Sequence, residues 1–370
     1  MRDSSLTIAS EANLPINVPT KPKYLFNNKI DFLCLGGLSF FLLPILFFVP
    51  TEHLPLLGFI SYIIADFVNH PHFAFSYQLF YRDFITHLKS KNSNIFVFKL
   101  IFAGLIAPIF LLIFFIYCIY FGEKLLIGYS VNAMFLLVGW HYAKQGYGML
   151  MLDSVLKKSF FNDLEKKLLR YNAHFCWFFL WVYTNSLVEE KNYIEITYYT
   201  FSLPESLITL MGILALTSSL AVMRCLYMKF KGYEGDIPLN GIIAYYMSIY
   251  LWLIGRVNPA FILFVPALHS LQYSIVVYRL ELNRQSDLGF KARRKVLNFA
   301  LFITFAIAIG YLGFRSLPLF FEASFTLNDD IYNGSIFLFC CWIFINIHHY
   351  LIDNILWRKD NKITNKHLFS

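Results

Sequence analysis

The residues of this chain with the most chemistry in them stand where apolar side chains belong. His70 and His72 lie in Asp66-Phe67-Val68-Asn69-His70-Pro71-His72-Phe73, and His141 in Trp140-His141-Tyr142-Ala143-Lys144-Gln145. His269 lies in Leu268-His269-Ser270-Leu271-Gln272-Tyr273, and His348 and His349 in Ile345-Asn346-Ile347-His348-His349-Tyr350-Leu351-Ile352-Asp353. Each stretch interrupts an apolar run long enough to cross a bilayer. An ionisable side chain is costly in hydrocarbon, so its presence there is by default a functional signal. Neutral imidazole is the commonest metal ligand, which makes these side chains candidate ligands of one metal. One helical turn from four of them stands a group able to hold the ring: Asp66 for His70, Gln145 for His141, Tyr273 (with Gln272 beside it) for His269, and Asp353 for His349. Metal-bound histidines usually carry such partners on the far nitrogen, so all five are read as orienting groups, Asp353 included. Of the adjacent pair His349 is favoured, because Ile352 occupies the corresponding place for His348.

Ligand type narrows the metal. Neutral imidazoles without thiolates suit iron, copper or zinc, and a nitrogen-rich site with open positions suits ferrous iron that binds dioxygen. A zinc hydrolase wants a nearby carboxylate base and a polar substrate route, whereas a site inside a bilayer selects lipid-soluble substrates. The expectation is non-haem Fe(II), with Cu or Zn as alternatives, in an oxygenase that uses dioxygen on an apolar small molecule drawn from membrane lipid. Two other readings stay open. A di-iron desaturase or hydroxylase looks like H-x-x-x-H and H-x-x-H-H clusters, and here there are H-x-H and H-H pairs. A proton-coupled transporter would use His, Asp and Tyr as relays, with the Gly255 to Pro259 break between two apolar runs as its sign.

Composition says what kind of frame holds these residues. Of 370 residues 58% are hydrophobic and 15% charged, against about 45–50% and about 25% in soluble domains. The expected fold is an all-α, polytopic integral membrane bundle. Residues 1–30 read as a disordered cytosolic tail, 31–357 as one transmembrane domain and 358–370 as a cytosolic C-terminal tail. Apolar runs at about 31–49, 54–76, 95–121, 124–150, 168–187, 204–229, 240–255, 257–279, 296–315 and 332–356 give ten spans. The net charge of +8 comes from short loops between them, at Arg82 to Lys91, Lys157 to Arg170, Arg279 to Lys295 and Arg358 to Lys366. Alternate loops are basic, which is a topology signal rather than a nucleic-acid surface and puts both termini in the cytoplasm. The site histidines then fall on the second, fourth, eighth and tenth spans, about 4–10 residues before each basic end, a depth of roughly 6–15 Å. Six cysteines lie in or beside the apolar runs without C-x-x-C spacing and read as buried thiols.

At these patches the sequence resembles the Brp/Blh family of integral-membrane carotene dioxygenases, which cleave β-carotene centrally to two retinals at a non-haem iron held by histidines. Pro71-His72 is similar to that family's proline-histidine pair near the cytoplasmic end of an early helix, and His141-Tyr142-Ala143 to its His-aromatic-Gly motif. His269-Ser270 opens its His-Ser-x-x-His motif, with Tyr273 in place of the second histidine. His349 to Asp353, followed by Arg358, resembles the family's last helix. The resemblance implies iron held by His72, His141, His269 and one of His348 or His349, and a carotenoid cleaved to retinal.

Overall fold

In hydrocarbon a chain must satisfy its backbone within each segment, and the helix does this. Each of the ten apolar runs coincides with one long helix in the computed structural model, which describes residues 23–89, 93–185, 190–193, 196–255, 260–325, 336–358 and 361–368. In chain order the helices are α1 (Asn28–Phe47), α2 (54–89), α3 (Asn94–Phe121), α4 (Lys124–Leu156), α5 (Asp163–Thr184), α6 (Glu205–Phe230), α7 (Leu239–Gly255), α8 (Ala260–Asp287), α9 (Ala292–Ser324) and α10 (Ile336–Leu356). A short α11 (Lys362–Leu368) follows, and a hairpin of β1 (Glu190–Tyr193) and antiparallel β2 (Ile196–Tyr199) joins α5 to α6, a small departure from the all-α expectation. Among the described residues six helices, α1, α3, α4, α6, α9 and α10, are long and apolar enough to cross a membrane. Residues 256–259 of the break that the transporter reading points to lie outside the described residues, as do 1–22 of the expected tail. Residues 23–30, also assigned to that tail, are ordered: Leu25 is buried and its amide, with that of Phe26, donates to Asp31.

The outer face of the bundle is apolar, and its largely apolar interior carries a set of buried polar groups. Phe48, Phe110, Leu216 and Phe320 face outward, while His72, Ser76, Asn172, Ser270 and Asp353 are buried. Close packing is built in with small residues, as is usual between helices in lipid. A Cβ on Gly310 of α9 would fall 2.7 Å from the His70 backbone of α2, and one on Gly146 of α4 would fall 2.5 Å from Ser248 of α7. Helix α10 packs against both α2 and α4, and α8 against the middle of α2, so the four histidine-bearing helices meet.

Among the described residues four helices depart from α geometry, α1 by a kink at Gly36 within Leu33–Gly37 and the others by one π turn each, at Ala65–Asn69, Phe102–Ile106 and Leu312–Ser316. The last three stand two residues before a proline: Pro71, Pro108 and Pro318. Proline lacks the N–H that would reach back one turn and crowds the carbonyl there, and the wider turn absorbs that conflict. The carbonyls so freed are used. Near Pro108, Ala103 O accepts from His348 Nε2 (2.9 Å) and Gly104 O from Tyr81 OH (2.8 Å).

The helix ends that carry basic loops converge at one end of the bundle. Arg82 at the end of α2 meets Glu281 of α8 (2.8 Å), Lys229 closing α6 meets Glu165 opening α5 (3.0 Å), and Asp153 of α4 accepts from the Gly241 amide of α7 (2.9 Å). Both ends of the described chain are there too: Lys157 Nζ donates to Lys23 O over the Tyr24 ring, and Asn283 of α8 donates to His367 O. Helices α2, α4 and α8 run past their apolar segments toward this end.

Candidate metal centre

Four of the candidate histidines meet in the interior. Ring centroids lie 4.4 Å apart for His72 and His349, 5.0 Å for His141 and His349, 4.9 Å for His141 and His269, and 5.2 Å for His72 and His269. Asp353 completes the group. One ligand atom from each of His72, His141, His349 and Asp353 lies within 4.8 Å of the other three. Asp353 Oδ2 is 3.5 Å from His349 Nε2 and 3.7 Å from His141 Nε2, too long for hydrogen bonds. Two ligands about 2.1 Å from a tetrahedral ion stand about 3.4 Å apart, so these separations are those of groups facing a common ion.

Hydrogen bonds leave the inward atoms bare. Ser270 Oγ donates its one proton to Asn69 Oδ1 (2.8 Å), so its contact with His72 Nδ1 (3.2 Å) requires the ring to donate. The proton on Nδ1 puts the lone pair on Nε2, which is buried without a partner. Asp353 Oδ1 accepts from Ser76 Oγ (2.8 Å) and Tyr273 OH (2.9 Å) while Oδ2 is left free. His141 Nε2 and both nitrogens of His349 are likewise buried and unpartnered. So many buried ligand atoms without protein partners in one place are a donor set that fits a cation, since buried polar groups otherwise find partners. Phe73 covers two of the ligands, 4.7 Å from the His72 and His349 rings.

The remaining candidates stand elsewhere. His348 has both nitrogens engaged, with Tyr77 OH (3.0 Å) and Ala103 O, so its role is to tie α10 to α2 and α3. His70 is two residues and more than half a helical turn from His72. It binds Asp66 (3.0 Å), as its spacing predicts, and stacks on Phe314, while Arg315 also holds Asp66. Asp353 was expected to orient His349 through a hydrogen bond, but its free oxygen faces the same centre as the rings. Gln145 donates to His269 O and Gln272 rather than to His141, and Gln272 in turn donates to Leu35 O. Tyr273 serves Asp353 rather than His269. Asn69, Ser76 and Ser270 were missed, because each acts across helices and no spacing within one helix announces it.

Fold and site define a class: a helical protein with six helices long and apolar enough to cross a membrane among its described residues, and a buried three-histidine, one-carboxylate cluster inside. Comparison with protein-family models, with curated proteins and with solved structures finds no match to this chain.

Proposed function

We propose that this chain is an integral-membrane metal-dependent oxygenase in which His72, His141, His349 and Asp353 hold a non-haem iron. The observation that carries the reading is the convergence of four buried, unshared ligand atoms within 4.8 Å. Three imidazoles and one carboxylate without thiolate suit iron(II), with copper or zinc as alternatives. Bound iron would supply activation of dioxygen for oxidation of an alkene or alkyl chain. The chain's own part is to fix the His72 tautomer through Ser270 and Asn69, to hold Asp353 through Ser76 and Tyr273, and to keep water away with Phe73 and the aromatic walls. The patches that resemble the Brp/Blh dioxygenases contain every member of the cluster, which favours a lipid-soluble, carotenoid-like substrate. We propose further that all ten helices span the membrane with both termini cytoplasmic, since the basic ends meet on one side.

The test is metal analysis of protein purified in mild detergent, together with organic extraction of the same sample. About one iron per chain and a co-purifying apolar molecule are expected. Absence of any tightly held metal in folded protein would put another reading in front, a proton-coupled transporter. The paired Arg315, Asp66 and His70, enclosed in otherwise apolar helices, are the observation in its favour.

A further inference from the structure

One buried side chain in the interior has no task in the proposed function. His269 is 5% exposed, yet neither ring nitrogen has a hydrogen-bond partner. Its ring lies flat on Tyr142, 3.7 Å between centroids at 13°, which fixes its plane. It stands beside His72 and His141, but its nitrogens fall outside the set of ligand atoms that share one 4.8 Å neighbourhood.

His269 also lines a cavity of ≈ 20 Å³, enough for about one water-sized molecule. Ser39, Ser248 and Gln272 give this cavity a polar side, and Met247, Val265 and Leu268 an apolar one. An imidazole always carries at least one N–H, and burying it without an acceptor forfeits its hydration with no return. The acceptor it lacks in the protein has a place to sit next to it.

We propose that this cavity is the seat of a small oxygen-containing molecule, water at rest and dioxygen in turnover, and that His269 hydrogen-bonds to it instead of ligating the metal. The inference rests on the metal reading above. The polar side suits water and the apolar side suits dioxygen, so one pocket serves both.

Azide is the probe, its binding titrated by the infrared shift of its stretching band in the full-length protein loaded with cobalt(II) in detergent. Wild type is expected to hold cobalt and bind azide. His269→Leu should keep its cobalt and bind azide about tenfold more weakly, the worth of one hydrogen bond to a charged group. His269→Gln, which retains an N–H, should recover most of that loss, and Val265→Phe, which fills the cavity, should abolish azide binding with cobalt retained. Loss of cobalt in folded His269→Leu would make His269 a ligand and overturn the proposal. Unchanged azide affinity in Val265→Phe would remove the pocket. Wild type that takes up no cobalt would sink the metal reading itself, and the two failures are thereby told apart.

Discussion

Replacing Asp353 by Asn separates two jobs done by one carboxylate. The amide keeps an oxygen for Ser76 and Tyr273 but presents no second anionic oxygen to the histidines. Metal affinity should fall by at least about 10–100-fold, the loss typical even of a ligand's supporting group, with the helical fold intact. Full metal occupancy in folded Asp353→Asn would return the residue to an orienting role. The adjacent histidines make a second contrast. His349→Ala should lose metal, and His349→Ala combined with His72→Ala should look little worse than either alone, since ligands act as a unit. His348→Ala should retain metal and cost about 0.6 kcal/mol of stability, the average for an interhelical hydrogen bond in a membrane protein; quantifying metal in both variants decides the assignment. The buried cluster of histidines and aspartate was legible in the sequence because such residues in apolar runs have no cheap explanation. Which ring faced inward was not, because one step along a helix turns a side chain by about 100° and the deciding partners, such as Ala103 O for His348, come from other helices.

At the scale of the element, the π turn before Pro108 joins backbone chemistry to the site. Its freed carbonyls hold Tyr81 and His348, so a proline on α3 helps set the rotation of α10. Tyr81→Phe should cost about 1 kcal/mol by leaving Gly104 O unmet. In Pro108→Ala the restored N–H can serve that carbonyl, so the same change should cost measurably less there, and a double-mutant cycle of unfolding free energies reads the coupling. Independent, additive losses would break the link between proline and phenol. Gly310 gives a simpler test: its methyl must push α9 away from the His70 backbone. Gly310→Ala is expected to cost about 1–3 kcal/mol by overpacking and to reduce metal content, because α2 carries His72 just beyond the contact. Helix positions were readable from apolar length alone. The π turns were not, since they express a conflict between a proline and the carbonyls behind it rather than any pattern of hydropathy.

Across the whole molecule, charge alternation makes a prediction about sidedness. A reporter fused after Lys158 should report the cytoplasm and one inserted at the hairpin between α5 and α6 the opposite side; the reverse result would invert the bundle and the depth order of its histidines. The grouping of basic ends was foreseeable from the loops, but the seal they form was not. Leu25 and Leu368, near opposite ends of the described chain, share one apolar cluster with Leu35, Met149 and Leu152. That closure bears on how the protein is made. His72 and His141 belong to early helices, His349 and Asp353 to α10, so the cluster cannot exist until α10 has been made. A chain interrupted before α10 can offer an ion two or three imidazoles and no Asp353, with the seal between its first and last segments unmade. On the proposed metal reading, a chain that stops before α10 is therefore expected to hold no ion tightly, which metal analysis of such a truncated chain checks.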